Sequence, residues 1–380
     1  MIYFDHNATS PLSPTAREAW ISAAEKFIGN PSSPHRLGAR AEAALGEARV
    51  RFSQILGCKA QDLIWTSGAT ESANAVISHL AHAAGEQEIW ISASEHPCVL
   101  ESARRSFGDG VKLIPIGATG HASEAWALEA LERGQRPAAI VVMAANNETG
   151  ILQDWGSWRR LCAEREIPYV CDATQWVGRM AVGELGSCDF VIGSAHKFGG
   201  PRGVGFIKCP GKIPLRGLLA GGGQEEGRRA GTENVPGVLG ALAALEACEQ
   251  QLRQVPPAQS ARLRDEFEKA LALSIPGVRV VGLSSPRLWN TSMVLMPRLD
   301  CRVRWVVKLD KRGFAVSTGS ACASGREKPS HVLEAMGYTA DESGGALRFS
   351  AGWETEAGEW ERLLAAVEQE WRAMRGTDLK

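Results

Sequence analysis

The chain has 380 residues, 44% hydrophobic and 22% charged, with a formal net charge of -1 at pH 7. That length exceeds what one core usually organises, so two domains are expected, and the near-neutral balance argues against a nucleic-acid stripe or a polybasic membrane patch. The longest apolar run, 138–145, is too short to span a bilayer, and the N-terminal Met1-Ile2-Tyr3-Phe4-Asp5-His6 lacks the layout of a signal peptide, so a cytoplasmic protein is expected.

In chain order, apolar runs of strand length at 63–66, 89–92, 111–115, 139–144, 168–172, 190–193 and 203–207 alternate with helical patterns at 71–82, 97–107, 124–132 and 155–166. Continuous apolar strands separated by helices predict an α/β fold with a largely parallel sheet covered on both faces. Helices follow at 241–252, ended by Val255-Pro256-Pro257, and at 261–273. Shorter alternating segments at 279–281, 291–296, 302–310, 314–317 and 346–350, then a terminal helix over 356–374, describe a smaller α+β unit.

Ligands of parallel sheets bind outside the carboxyl ends of the strands. The polar clusters fall there: Thr66-Ser67-Gly68-Ala69-Thr70, Glu95-His96, Asn146-Asn147-Glu148, Asp172 and Ser194-Ala195-His196-Lys197. The Thr66–Thr70 turn opens a helix whose free N–H groups suit a phosphate; an ordinary helix cap explains it as well. Lys197 ends a buried strand and is followed by Gly199-Gly200-Pro201-Arg202-Gly203. Such a lysine suits a Schiff base with an aldehyde cofactor, of which pyridoxal phosphate is the usual one. Asp172 suits a protonated pyridine nitrogen, Gln175 a phenolic oxygen and His96 a flat ring, while each also reads as a cap or a loop residue. Asn146–Gly150 is a turn or a substrate contact. The loop Gly221-Gly222-Gly223-Gln224-Glu225 with Arg228, Arg229, Gly231, Thr232 and Asn234 reaches a phosphate or is merely flexible.

The nine cysteines are dispersed and include no Cys-x-x-Cys pair, so neither a disulfide framework nor a metal site is expected. Cys171 and Cys209 read as buried hydrophobes. Cys322 lies among small residues, Ser317-Thr318-Gly319-Ser320-Ala321-Cys322-Ala323-Ser324-Gly325, and reads as an exposed nucleophile. Arg348 is placed to grip a carboxylate bidentately, or lies on a strand's solvent face.

Taken in order, these residues resemble the cysteine desulfurases of the NifS/IscS type, within the class V pyridoxal-phosphate-dependent aminotransferases. The resemblance includes Asp5-His6-Asn7-Ala8-Thr9, Glu95-His96, Asn146–Gly150, Asp172 with Gln175, Ser194–Gly203, Gly231-Thr232, Gly319–Cys322 and Ser330-His331-Val332-Leu333. It implies fold type I: a large domain, 14–250, on a mainly parallel seven-stranded sheet, and a small domain from 1–13 and 251–380 that carries the Cys322 loop. It implies that Lys197 bonds the cofactor, His96 stacks on it, and Asp172 and Gln175 contact the ring. Ala69, Thr70, Ser194 and His196 hold the phosphate, with Thr232 arriving from the second subunit of a homodimer. Asn147 and Arg348 hold the substrate carboxylate. The implied reaction turns L-cysteine into L-alanine and leaves sulfur on Cys322 as a persulfide, for an iron–sulfur scaffold or a tRNA-thiolation carrier. A selenocysteine lyase and a non-catalytic sulfur-trafficking protein on the same fold are the alternatives.

Overall fold

The structure, a computed structural model, describes residues 1–211, 213–297, 302–319 and 330–377. After β1 (Ile2–Tyr3), two helices that the sequence reading does not identify come first, α1 (Pro14–Lys26) and α2 (Arg36–Leu56). Their signals are local: Ser13 caps α1 ahead of Pro14, and Gly57 closes α2 in the left-handed region at φ 69°.

The alternating pattern then builds β2 (Leu63–Thr66), α3 (Ala69–Ala84), β3 (Ile89–Ser92), α4 (Pro97–Phe107), β4 (Val111–Ile114), α5 (Glu124–Glu132), β5 (Ala139–Val141), α6 (Trp155–Glu164), β6 (Tyr169–Asp172), β7 (Phe190–Ser194) and β8 (Gly205–Lys208). These strands form one seven-stranded sheet in the order β2-β8-β7-β6-β5-β3-β4. The pairs from β7 through β6, β5 and β3 to β4 are parallel, while β8 runs antiparallel to both its neighbours. Apolar clusters cover both faces. Trp90, Ile140, Tyr169 and Phe206 belong to one, and Ile91, Val141, Val170 and Ile207 to the other. Successive residues of β2, β3, β5, β6, β7 and β8 are therefore both buried, which explains why these strands read as largely apolar runs, whereas the edge strand β4 exposes Lys112 and Leu113.

Beyond the sheet come α7 (Val235–Gln254), α8 (Pro257–Ser274), β9 (Arg279–Val280), β10 (Thr291–Leu295), α9 (Arg302–Lys311), β11 (Phe314–Ala315), α10 (His331–Ala335), α11 (Ala340–Gly344), β12 (Ala346–Ser350) and α12 (Ala357–Thr377). Strands β9, β10 and β12 form a three-stranded antiparallel sheet, and β1 pairs with β11. Phe4 joins Phe267, Trp305, Phe349 and Trp360 in a third apolar cluster. The alternating segment expected at 302–310 is instead helical. Trp305 and Leu309, four apart, are fully buried, while Val307 is 44% exposed. Burial at i and i+4 is the helix period, and it overrides the apparent period of two. No helix among the described residues is long and apolar enough to cross a membrane.

Candidate active site

Three strand ends converge on one cavity of about 470 Å³. Strand β7 runs into a single helical turn, Ala195–Lys197, which delivers Ser194, His196 and Lys197. Strand β6 ends on Asp172, with Gln175 in the following turn. The backbone after β5 keeps pairing with β6 as far as Ala144, whose N–H donates to the Asp172 carbonyl at 2.9 Å, and so carries Asn147 to the same place. His96 enters as the N-cap of α4, and Ala69 and Thr70 open α3. All of these line the cavity, together with Ala8, Thr9, Cys98, Met143 and Arg202.

Lys197 Nζ donates to the carbonyls of Asn7 at 2.6 Å and Ala8 at 2.8 Å. The Cys98 N–H donates to His96 Nδ1 at 3.1 Å, so the neutral ring carries its proton on Nε2. Burial holds the His96 pKa below the usual histidine range, assisted by Lys197 and His331 and opposed by the Asp172 charge. Asp172 is 5% exposed, and its Oδ1 accepts from the Thr174 N–H at 2.9 Å. Behind it, burial and then the Asp172 charge raise the Glu95 pKa well above the usual range, and one of its oxygens accepts from the Met143 N–H. Gln175 Nε2 donates to Asn7 O at 2.9 Å, and its Oε1 accepts from Arg179 Nη1 at 2.7 Å, which fixes the amide orientation.

The start of α3 has no side chain capping it. Glu71 instead accepts from the Ser67 N–H and pairs with Arg229 at 2.9 Å, so Thr70 is not a cap and lies inside the first turn facing the cavity. A Cβ on Gly205 would come 2.4 Å from the Gly68 Cα, so only glycine lets β8 pass this close to the turn. The Gly-rich loop folds back through Arg229–Glu71 and through Glu225, which pairs with Arg49 at 2.6 Å. Thr232 is exposed and does not line the cavity. Asn234 caps α7. Cys322 lies outside the described residues. Arg348 is 1% exposed, so the solvent-face reading does not hold; it stands behind Asn147, whose carbonyl accepts from Nη1 at 2.8 Å.

The sequence reading gave the segment Asn7–Thr9 no role of its own. It supplies carbonyls to Lys197 and Gln175, and Thr9 Oγ1 lies 3.0 Å from His196 Nδ1. The only signal was a polar run just after Tyr3-Phe4. His196 is pushed down to about 4 by burial and then by Lys197, and His6 to about 3 by burial and then by Arg179. Both are neutral at pH 7. A depressed folded-state pKa contributes stability that is complete above the ordinary histidine value of about 6.5 and is lost as pH falls toward the folded value. Thermal unfolding at pH 7, 6 and 5 is therefore expected to show a falling midpoint, with a shallower fall in His6→Gln.

A strand-end lysine, a buried carboxylate and an imidazole around one cavity of a mainly parallel sheet define the class of fold-type-I pyridoxal phosphate enzymes. The chain belongs to the class V aminotransferase family, whose model (Aminotransferase class-V) matches residues 2–363. It is 36% identical to a cysteine desulfurase of Cereibacter sphaeroides, over 96% of this chain and 94% of the relative. It is 35% identical to one of Enterobacter agglomerans, over 92% and 87%. A solved NifS-like protein superposes with a TM-score of 0.87 at 30% identity, covering 98% of this chain and 99% of the other.

Members of this family depend on pyridoxal phosphate, and the donor set fits that group. The cavity joins an amine, a buried carboxylate, a neutral imidazole and an uncapped helix start. These complement an aldehyde, a pyridinium, an aromatic face and a phosphate respectively.

Proposed function

We propose that this protein is a cysteine desulfurase, converting L-cysteine to L-alanine and passing sulfur to Cys322 as a persulfide. The observation that carries the reading is the convergence of Lys197, His96 and Asp172 on one cavity, in a chain similar along nearly its whole length to cysteine desulfurases. Pyridoxal phosphate, when bound, supplies a carbonyl carbon for amine exchange and a ring that takes up the electron pair left on Cα.

The chain's own residues do the rest. Lys197 holds the group and, once released by the incoming amine, takes the Cα proton on Nζ. Asp172, with the buried Glu95 behind it, pairs with the ring nitrogen and holds it protonated. His96 covers the ring, and Gln175 faces the phenolic oxygen with its amide set by Arg179. Ala69, Thr70, Ser194 and His196 hold the phosphate, and Thr232 of a second copy completes that site in a homodimer. Asn147 and Arg348 orient the substrate carboxylate. The Cys322 thiolate attacks the substrate sulfur: an S–S bond forms as the C–S bond breaks, the C–S electron pair stays with Cβ, which takes a proton, Lys197 returns its proton to Cα, and alanine leaves. The persulfide then passes to an acceptor protein, an iron–sulfur scaffold or a tRNA-thiolation carrier. Residues 1–13 and 251–380 form the small domain on this reading, and 14–250 the large one.

Mass spectrometry of the Cys322 peptide after incubation with L-cysteine tests the reading. One added sulfur atom is expected, with L-alanine formed in step. In Cys322→Ala, sulfide release from L-cysteine falls by about two orders of magnitude or more, as for loss of a covalent nucleophile. An unmodified Cys322 peptide in a protein that still produces alanine would overturn the assignment.

A further inference from the structure

Arg348, on β12, is engaged before any substrate arrives. Its Nη2 donates to Asp5 Oδ1 at 2.7 Å, and its Nη1 donates to the carbonyls of Asn147 at 2.8 Å and Gly319 at 3.4 Å. Its Nε is buried and has no partner among the described residues. A guanidinium grips a carboxylate best along an edge, through two parallel N–H groups. Asp5 uses Nη2 and leaves the adjacent Nε without an acceptor, which costs the desolvation of one N–H. The two side chains also differ in their access to water: Asp5 is 21% exposed and Arg348 is 2% exposed. Asp5 has solvent to move into, and Arg348 does not.

We propose that Asp5 is an internal stand-in for the substrate carboxylate. It neutralises Arg348 between turnovers, and the α-carboxylate of the amino acid takes its place along the Nε/Nη2 edge. The inference rests on Arg348 as the carboxylate-binding residue.

The physical case has two parts. A buried arginine without a counter-ion is strongly unfavourable, so a resident carboxylate stabilises the free protein. The same contact must then be broken by every α-amino acid that binds. The apparent affinity drops by the fraction of molecules in which Asp5 holds the edge. Product alanine carries the same carboxylate and meets the same competition, which speeds its departure. Asp5 is well placed for this exchange. Its backbone bridges Ser350, two residues along β12 from Arg348, so its side chain can leave without moving the strand.

The test is the affinity of the holoenzyme for L-alanine, read from the absorbance change of the bound cofactor, with ethylamine as the carboxylate-free control. Asp5→Asn keeps the shape and removes the charge, and Asp5→Ser is a second variant should the first fold poorly. Both are expected to bind L-alanine about five- to tenfold more tightly, the scale of one charge-assisted hydrogen bond partly offset by water. Ethylamine affinity stays as in the wild type. Arg348→Lys is expected to weaken L-alanine binding and leave ethylamine unaffected. Equal or weaker L-alanine binding in both Asp5 variants, with Arg348→Lys impaired, overturns the stand-in and makes Asp5 an orienting residue. Equal tightening toward ethylamine overturns it too, because the gain would then not concern a carboxylate. No effect of Arg348→Lys would instead remove Arg348 from the substrate site, and the stand-in with it.

Discussion

Lys197→Ala is expected to lower turnover of L-cysteine by at least about 10³-fold, because one group both bonds the cofactor and moves the Cα proton. The purified variant should also lack the absorbance of a lysine-bound aldehyde. Lys197 sits on a short turn and is held by the carbonyls of Asn7 and Ala8, not by core packing. Its loss should therefore leave cooperative unfolding intact. Steady-state sulfide release and a visible spectrum check both points, and residual activity above a tenth of the wild type would contradict the assignment.

The second large effect concerns stability. Arg287 and Glu268 form a bidentate pair at 2.6 and 2.8 Å, and both side chains are 3% exposed. Removing one partner of such a pair strands a buried charge and costs about 3–5 kcal/mol. Glu268→Ala should lower the unfolding free energy by that amount in a denaturant titration. By contrast, breaking the exposed Arg133–Glu129 pair should cost less than about 1 kcal/mol. A double change of Arg287 and Glu268 to apolar residues of similar volume should recover most of the loss. The pair also reaches the site. Arg287 bridges Ile151, and Leu288 N donates to Gly150 O at 2.8 Å, so the segment after α8 supports the turn that presents Asn147. Glu268→Ala should raise the KM for L-cysteine as well. A destabilisation below about 1 kcal/mol would show that water reaches the pair.

The two halves of the chain differ in how plainly their structure could be read. Where both faces of a strand are buried, nearly every residue is apolar, and 63–66, 89–92 and 190–193 stand out against their flanks although Thr66 and Ser92 close two of them. Helices α1 and α2 carry mixed faces, and their best signals are single residues, Ser13 before Pro14 and Gly57 at the end. The period-two look of 302–310 comes from exposed Val307 standing between buried Trp305 and Leu309. Such a residue breaks the pattern without changing which face packs.

Residue types put an amine, a carboxylate and an imidazole at or just past strand ends, where a parallel sheet leaves its carbonyl edge open to ligands, and the family resemblance implied their roles. Order along the chain was enough for that, because each βα unit delivers its own terminus to the same edge. What neighbours each group belongs to the tertiary structure alone. The carbonyls on Lys197, the buried Glu95 behind Asp172, the Arg179 that orients Gln175 and the Asp5 on Arg348 lie between 4 and 343 positions away from their partners where they make hydrogen bonds. Hydrogen bonds and charges act over a few ångströms of space, and a linear order of residues carries no record of that separation until the chain has folded.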